Sequence, residues 1–475
     1  MYDIIFLALF ATLISIFLYI NRKNLKKEGL LLLYRTKLGL KIIDYIGGKY
    51  QKTLKFLSYV TIGLGYLLLI GAIYLVGKIV WIYIAIPQIV TTLKVPPIMP
   101  LIPYIDKIAP GLGLPAFYFT YWIVILAIIA VTHEFAHGIF MKRYNIGIKS
   151  TGFGFFPWFF PVFLAAFVEQ DEKSMAKKKK FEQMVVLSAG TFANVLTAVF
   201  FFIIMWIFFI NVFVPSGINF DSYAYSPVEI ASITIINGIS INNVSYEKIL
   251  NLTNEEGLNN ISSSSQNYLI TKQALEVQKD NQGYLALYED APAIKNKLDG
   301  IITEINNNKI DSVETLSKEI EKYNPGDKIT IKTLIEEDSG ELQAKEYEII
   351  LGENSKAGGQ SYLGIGFFSN EREGIMGKIV TTLSSFKDSR VYYETKFNAG
   401  LFIYNLLWWI VLISISVALI NMLPVGIFDG GRFFYLTILG ITKSEKIAEK
   451  SFKYITYFFL FVLLALMVFW VKSFF

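Results

Sequence analysis

The sequence predicts a polytopic α-helical membrane protein with about six transmembrane helices, a re-entrant hairpin and an extramembrane α+β region. Three observations predict it. The 475 residues are 53% hydrophobic and only 17% charged, with a mean hydropathy of +0.46, a balance that soluble globular chains do not carry. Six apolar segments (3–20, 56–86, 117–141, 184–214, 400–423 and 452–471) are each long enough to cross a hydrocarbon layer of about 30 Å. Between the fourth and fifth, residues 215–399 turn polar and rich in Asn, Ser and Lys.

The first span, "DIIFLALFATLISIFLYI", is followed by "NRKNLKK". It lacks a basic stretch before it and a small-residue cleavage site, so it reads as a retained anchor. Basic clusters also follow the third span ("MKR") and precede the fourth ("KSMAKKKK") and sixth ("KSEKIAEKSFK"). Cytoplasmic loops concentrate Lys and Arg, and every cluster then agrees with one topology. The N-terminus is outside, 21–55 inside, 87–116 outside, 142–183 inside, 215–399 outside and 424–451 inside. The net charge of +5 therefore acts as a topology signal beside the spans and builds no nucleic-acid surface. The absence of cysteine excludes disulfides and thiolate metal sites. Residues 1–116 are an N-terminal membrane region of two transmembrane helices and loops, and 117–214 and 400–475 hold two spans each.

Residues 151–168, "TGFGFFPWFFPVFLAAFV", are apolar but short and broken by Gly and Pro. They cannot form a straight span. A re-entrant hairpin fits, with its irregular backbone facing protein or a cavity.

The third span carries "ILAIIAVTHEFAHGIF". His133, Glu134 and His137 form H-E-x-x-H, and histidines four apart on a helix share a face, so both imidazoles reach one Zn²⁺. Glu134 stands beside them, placed to take a proton from water. These are the only two histidines in the chain. Ionisable groups in an otherwise lipid-like helix are expensive and mark function. A catalytic zinc needs a third protein ligand and an open position for water. Glu169, Glu172 and Glu182 lie near in sequence. A remote candidate is Asp429 in "NMLPVGIFDGGRFFY", at the inner end of the fifth span and level with the inner half of the third.

H-E-x-x-H in a transmembrane helix, paired with N-x-x-P-x-x-x-x-D-G after a later span, resembles the site-2 protease family of intramembrane zinc metalloproteases. "SAGTFANVL", in the helix after the first motif, matches that family's small-residue-plus-Asn segment. The resemblance covers roughly 117–440. It implies zinc held by His133, His137 and Asp429, with Glu134 as catalytic base. Asn194 and Asn421 match polar positions that assist the substrate or the site. "VGIF" stands where a proline-rich turn is common in the family. The implied activity is hydrolysis of peptide bonds within or near the spans of single-span membrane proteins, in the cytoplasmic half of the lipid bilayer. On this reading 117–214 and 400–475 are the two parts of a protease core.

Within 215–399 there is an internal echo. "SPVEIASITIINGISINNVSYEKI" and "APAIKNKLDGIITEINNNKIDSVETLSKEI" share an early Pro, an Ile-Asn pair and a following helical stretch, and "NPGDKITIKTL" then gives a turn and a strand. This pattern resembles the PDZ domains fused to membrane proteases, as one unit or two. Two other functions compete: a membrane-anchored protease of soluble type with a glutamate as third ligand, and a non-catalytic membrane adaptor that binds partners through its PDZ-like region.

Overall fold

The computed structural model describes residues 2–28, 31–88, 90, 96–97, 99, 101–108, 112–155, 164–263, 266–279, 283–336, 342–354, 358–367 and 374–472. The chain divides into two compact units, one made of 1–208 with 401–475 and the other of 209–400.

The first unit is helical. Its main helices are α1 (Tyr2–Ile20), α2 (Leu40–Lys49), α3 (Gln51–Ala85), α4 (Phe119–Arg143), α5 (Lys180–Val212), α6 (Gly400–Asn421), α7 (Asp429–Thr442) and α8 (Glu445–Lys472). Among the described residues, six of them (α1, α3, α4, α5, α6 and α8) are long and apolar enough to cross a membrane, matching the six segments read from sequence. Their outer faces stay apolar: Leu13 on α1, Leu67 on α3 and Phe461 on α8 are more than 60% exposed, as suits side chains whose solvent is lipid.

Residues 21–55 are more than a connecting loop. They contain β1 (Leu25–Glu28), β2 (Leu31–Thr36) and the helix α2. Strands β3 (Ile148–Phe155) and β4 (Leu164–Gln170) complete an antiparallel sheet in the order β1-β2-β3-β4. The segment expected to re-enter the membrane is thus a β-hairpin in its two arms, and its tip, 156–163, lies outside the described residues. β4 is the edge of the sheet and packs on α4.

Close approaches fix α4 in place. The Asp3 carboxylate of α1 accepts from the Phe119 and Thr120 amides at 2.7 and 2.8 Å, satisfying the unpaired donors at the start of α4. On the far face, a Cβ at Gly138 would meet Ile43 of α2 at 2.7 Å, so the absent side chain lets α2 lie against α4. Phe433 of α7 is fully buried and stacks edge-on with Tyr66 of α3, their ring centres 4.9 Å apart.

Among the described residues the second unit has two six-stranded antiparallel sheets, each with its own apolar core, and two short two-stranded ones. The sequence echo is a structural repeat. In the first copy Ile233–Ile236 turns through Asn237 and Gly238 into Ile239–Ser240, then Ser245 caps the helix Tyr246–Leu252. In the second, Ile301–Ile305 turns through Asn306 and Asn307 into Asn308–Lys309, and Ser312 caps Val313–Ile320. Both turns hold two residues at positive φ, which two-residue hairpins require. Each leading Asn uses its backbone N–H and side-chain oxygen to clasp a neighbouring strand, Asn237 on Asn260 and Asn306 on Thr330.

Candidate metal centre

α4 brings His133 and His137 onto one face, and both are 8% exposed. Their Nε2 atoms are 3.1 Å apart. The Oδ2 of Asp429 lies 3.5 Å from His133 Nε2 and 3.3 Å from His137 Nε2. Among the described residues these three form the group able to hold a metal ion. The triangle has the right size. Zinc bonds of about 2.0–2.1 Å in a tetrahedron put neighbouring ligand atoms roughly 3.3–3.4 Å apart. Two imidazoles and a carboxylate also suit zinc and leave the fourth corner for water.

Asp429 reaches this position through a tight reversal. It is the first residue of α7, preceded by the turn 422–428, whose last residue, Phe428, stands at the N-cap and gives the helix no side-chain cap. Two glycines follow. A Cβ at Gly430 would sit 2.3 Å from the Met422 carbonyl, and one at Gly431 would sit 2.4 Å from that of Val425. Only residues without side chains let the start of α7 press onto the end of α6.

α5 holds the rings. The His137 Nδ1–H donates to the Val186 carbonyl at 2.7 Å, which leaves Nε2 free for a cation. His133 Nδ1 faces the side-chain amide of Asn194 at 3.1 Å. Between them lies Gly190, where a Cβ would be 2.4 Å from His133 Nε2 and 2.5 Å from His137 Nε2. Positions 186, 190 and 194 are four apart and form one stripe of the helix. Sequence reading singled out Asn194 but missed Gly190 and Val186. The small residues of "SAGTFANVL" were the signal for Gly190, whereas a backbone acceptor such as that of Val186 leaves no mark in sequence.

Glu134 projects toward the sheet. Its Oε2 accepts from the Val168 N–H of β4 at 2.9 Å, so that amide points off the free edge and not into the β3 ladder. The nearby glutamates are engaged elsewhere. Glu169 accepts from Ser150 at 2.7 Å and from Arg35 at 2.9 Å, and these two bonds hold its carboxyl below the usual range. Glu172 pairs with Arg432 at 3.2 Å, and Glu182 accepts from the Lys179 amide. Asn421 ends α6 half-buried, and its side chain has no hydrogen-bond partner among the described residues.

A sequence profile described as Peptidase family M50 matches residues 121–467, well over half of the chain. The chain is also similar to "Zinc metalloprotease RasP" of Shouchella clausii (strain KSM-K16), at 29% identity over 171 residues. That alignment takes in 32% of this chain and 41% of the relative, so the chain spans about two fifths of that protein's length.

Proposed function

Because the chain belongs to peptidase family M50, the site-2 proteases, we propose that it is a zinc-dependent intramembrane endopeptidase acting within or near the spans of membrane-protein substrates. The observation that carries this is the meeting of His133, His137 and Asp429, from helices far apart in sequence, at 3.1–3.5 Å. Zinc, when bound there, supplies Lewis acidity and a more acidic water.

The protein's own groups do the rest. Val186 holds His137 in the tautomer that presents Nε2. His133 needs an acceptor for its Nδ1–H, and the Asn194 amide supplies one after a half-turn that exchanges its oxygen and nitrogen. As placed, the Asn194 oxygen is buried without a partner, which favours that exchange. Glu134 accepts the proton of the attacking water and passes it to the leaving amine. Asn421, with its amide uncommitted, is the group left to support substrate or oxyanion.

A substrate helix satisfies its backbone internally and must unwind before a carbonyl is reachable. The edge strand β4 offers the place to hold it extended, as in other cases of strand addition. Such a strand competes with Glu134 for the Val168 N–H, so its arrival frees the carboxylate for proton transfer. On this reading the β3–β4 hairpin is the re-entrant segment, and the basic loops put the site in the cytoplasmic half. The duplicated hairpin-and-helix device, with a core for each copy, supports two PDZ-like units on the outer side that admit substrates by size.

The test is cleavage of a single-span membrane protein in detergent by the parent and Glu134→Gln. The variant should bind zinc at the parent stoichiometry and lose at least about 10²-fold in rate, the usual worth of a general base. Parent-like turnover by Glu134→Gln removes the glutamate from the mechanism.

A further inference from the structure

Beside Glu134 the first unit contains a cavity of about 170 Å³. Its walls include Leu38, Val131, Phe135, Phe153 and Phe167, and Glu134 is the one ionisable group among the described lining residues. The neutral polar groups in the wall are already engaged: the Thr151 hydroxyl contacts the Thr36 and Leu38 carbonyls, and the Thr36 hydroxyl accepts from the Leu38 amide. An occupant therefore finds apolar surface. A cavity of about 150 Å³ lined by such groups accepts a benzene-sized molecule. Val168, whose N–H points off the free edge of β4, also lines this space.

Resting on the protease reading, we infer that this cavity is a specificity subsite for a large apolar side chain next to the scissile bond. A segment laid along β4 with its carbonyl at the metal triad passes the mouth of the cavity at Glu134. Side chains of an extended strand alternate between faces. Of the two residues flanking the cut, one therefore points into the cavity and its neighbour points away. Leucine, phenylalanine or methionine fills the space. Alanine leaves it empty, and aspartate places a charge against Glu134 without a partner.

Leu38 and Val131 stand at the rim, 69% and 40% exposed, so exchanging them leaves the core intact. The experiment compares kcat/KM of the zinc-loaded full chain on a single-span substrate in which each flanking residue is in turn Leu, Phe, Ala or Asp. At one position Leu and Phe should exceed Ala by roughly tenfold or more, since each buried methylene discriminates by that order, and Asp should not be cut. The other position should be indifferent. Val131→Phe, which fills the cavity, should reverse the preference toward Ala, and Leu38→Ala should raise Phe relative to Leu. Equal rates for Leu and Ala at both positions, or a preference unmoved by both rim variants, overturns the subsite. A parent protein that cleaves none of the substrates overturns the protease reading and the subsite with it, whereas cleavage without preference overturns the subsite alone.

Discussion

Gly190→Ala is the smallest change that tests the architecture of the centre. The added methyl would lie 2.4 Å from His133 Nε2 and 2.5 Å from His137 Nε2, where ordinary carbon contacts begin at about 3.5 Å. Relief requires a displacement of about 1 Å, because a Cβ fixed to a helix has no rotamer to escape into. Neither partner moves freely. His137 is bonded to Val186 and His133 faces Asn194, both on the same helix as Gly190, so retreat of α5 pulls away the groups that orient the rings. Zinc bonds tolerate about 0.2 Å, so a shift of that size removes at least one ligand. Overpacking should cost about 1–3 kcal/mol, and zinc affinity should fall by at least about 10²-fold. The control is Gly77→Ala in α3, where a Cβ meets nothing within 4 Å and helix propensity alone gains up to about 1 kcal/mol. The assay is zinc per chain in detergent together with the rise in Tm on adding zinc. Parent zinc affinity in Gly190→Ala would refute the packing of both rings against that glycine.

Three further outcomes are expected. Asp429→Asn should lose at least about 10²-fold in zinc affinity, measured by competition with a chelator, and an undiminished affinity would return the third ligand to a nearby glutamate. Asn194→Leu should weaken zinc by about 10–100-fold while Asn194→Asp retains it, because a carboxylate also accepts from Nδ1–H; if both variants keep zinc and lose only rate, Asn194 serves the substrate instead. Glu319, 5% exposed, would have its carboxyl raised by burial, but bonds from Lys322, Asn308 and Tyr323 more than offset this and hold it below its ordinary 4.5. A depressed carboxyl contributes stability above the unfolded value and loses it as pH falls through the folded one. The Tm of the full chain should therefore fall more steeply in the parent than in Glu319→Gln as pH is lowered through and below 4.5; identical slopes would sink the assignment.

Much of this was legible in the sequence for a physical reason. His133, Glu134 and His137 stand out because lipid makes each ionisable group expensive, so their presence signals use. Asp429 was legible through its place directly after the fifth apolar span, beside a Gly-Gly pair, and the structure brings it within 3.5 Å of both histidines. The repeat in 215–399 was visible because two-residue turns demand Asn or Gly and helix starts demand Ser. What stayed hidden depends on pairing across distance. β1 and β2 are short and carry no alternation, and β2 joins β3 more than a hundred residues later, so "NLKKE" read only as a basic loop. The bond from Val168 to Glu134 links a backbone amide to a residue 34 positions away, and no residue type announces it.

The centre also shows why one helix supplies ligands and another constrains them. Two histidines four apart on a bare helix would each sample several rotamers, and a cation would have to order both. Here the stripe 186–190–194 of α5 removes that freedom before any cation arrives: a carbonyl fixes one ring, an amide faces the other, and a missing side chain gives both the room to turn inward. The remaining cost is the partly buried charge of Asp429, its side chain 26% exposed, which the Gly430-Gly431 reversal drives against the rings. A carboxylate so placed is unfavourable alone and favourable beside a dication. The geometry that makes the site selective for a metal is therefore the same geometry that makes its ligands costly to leave unpaired.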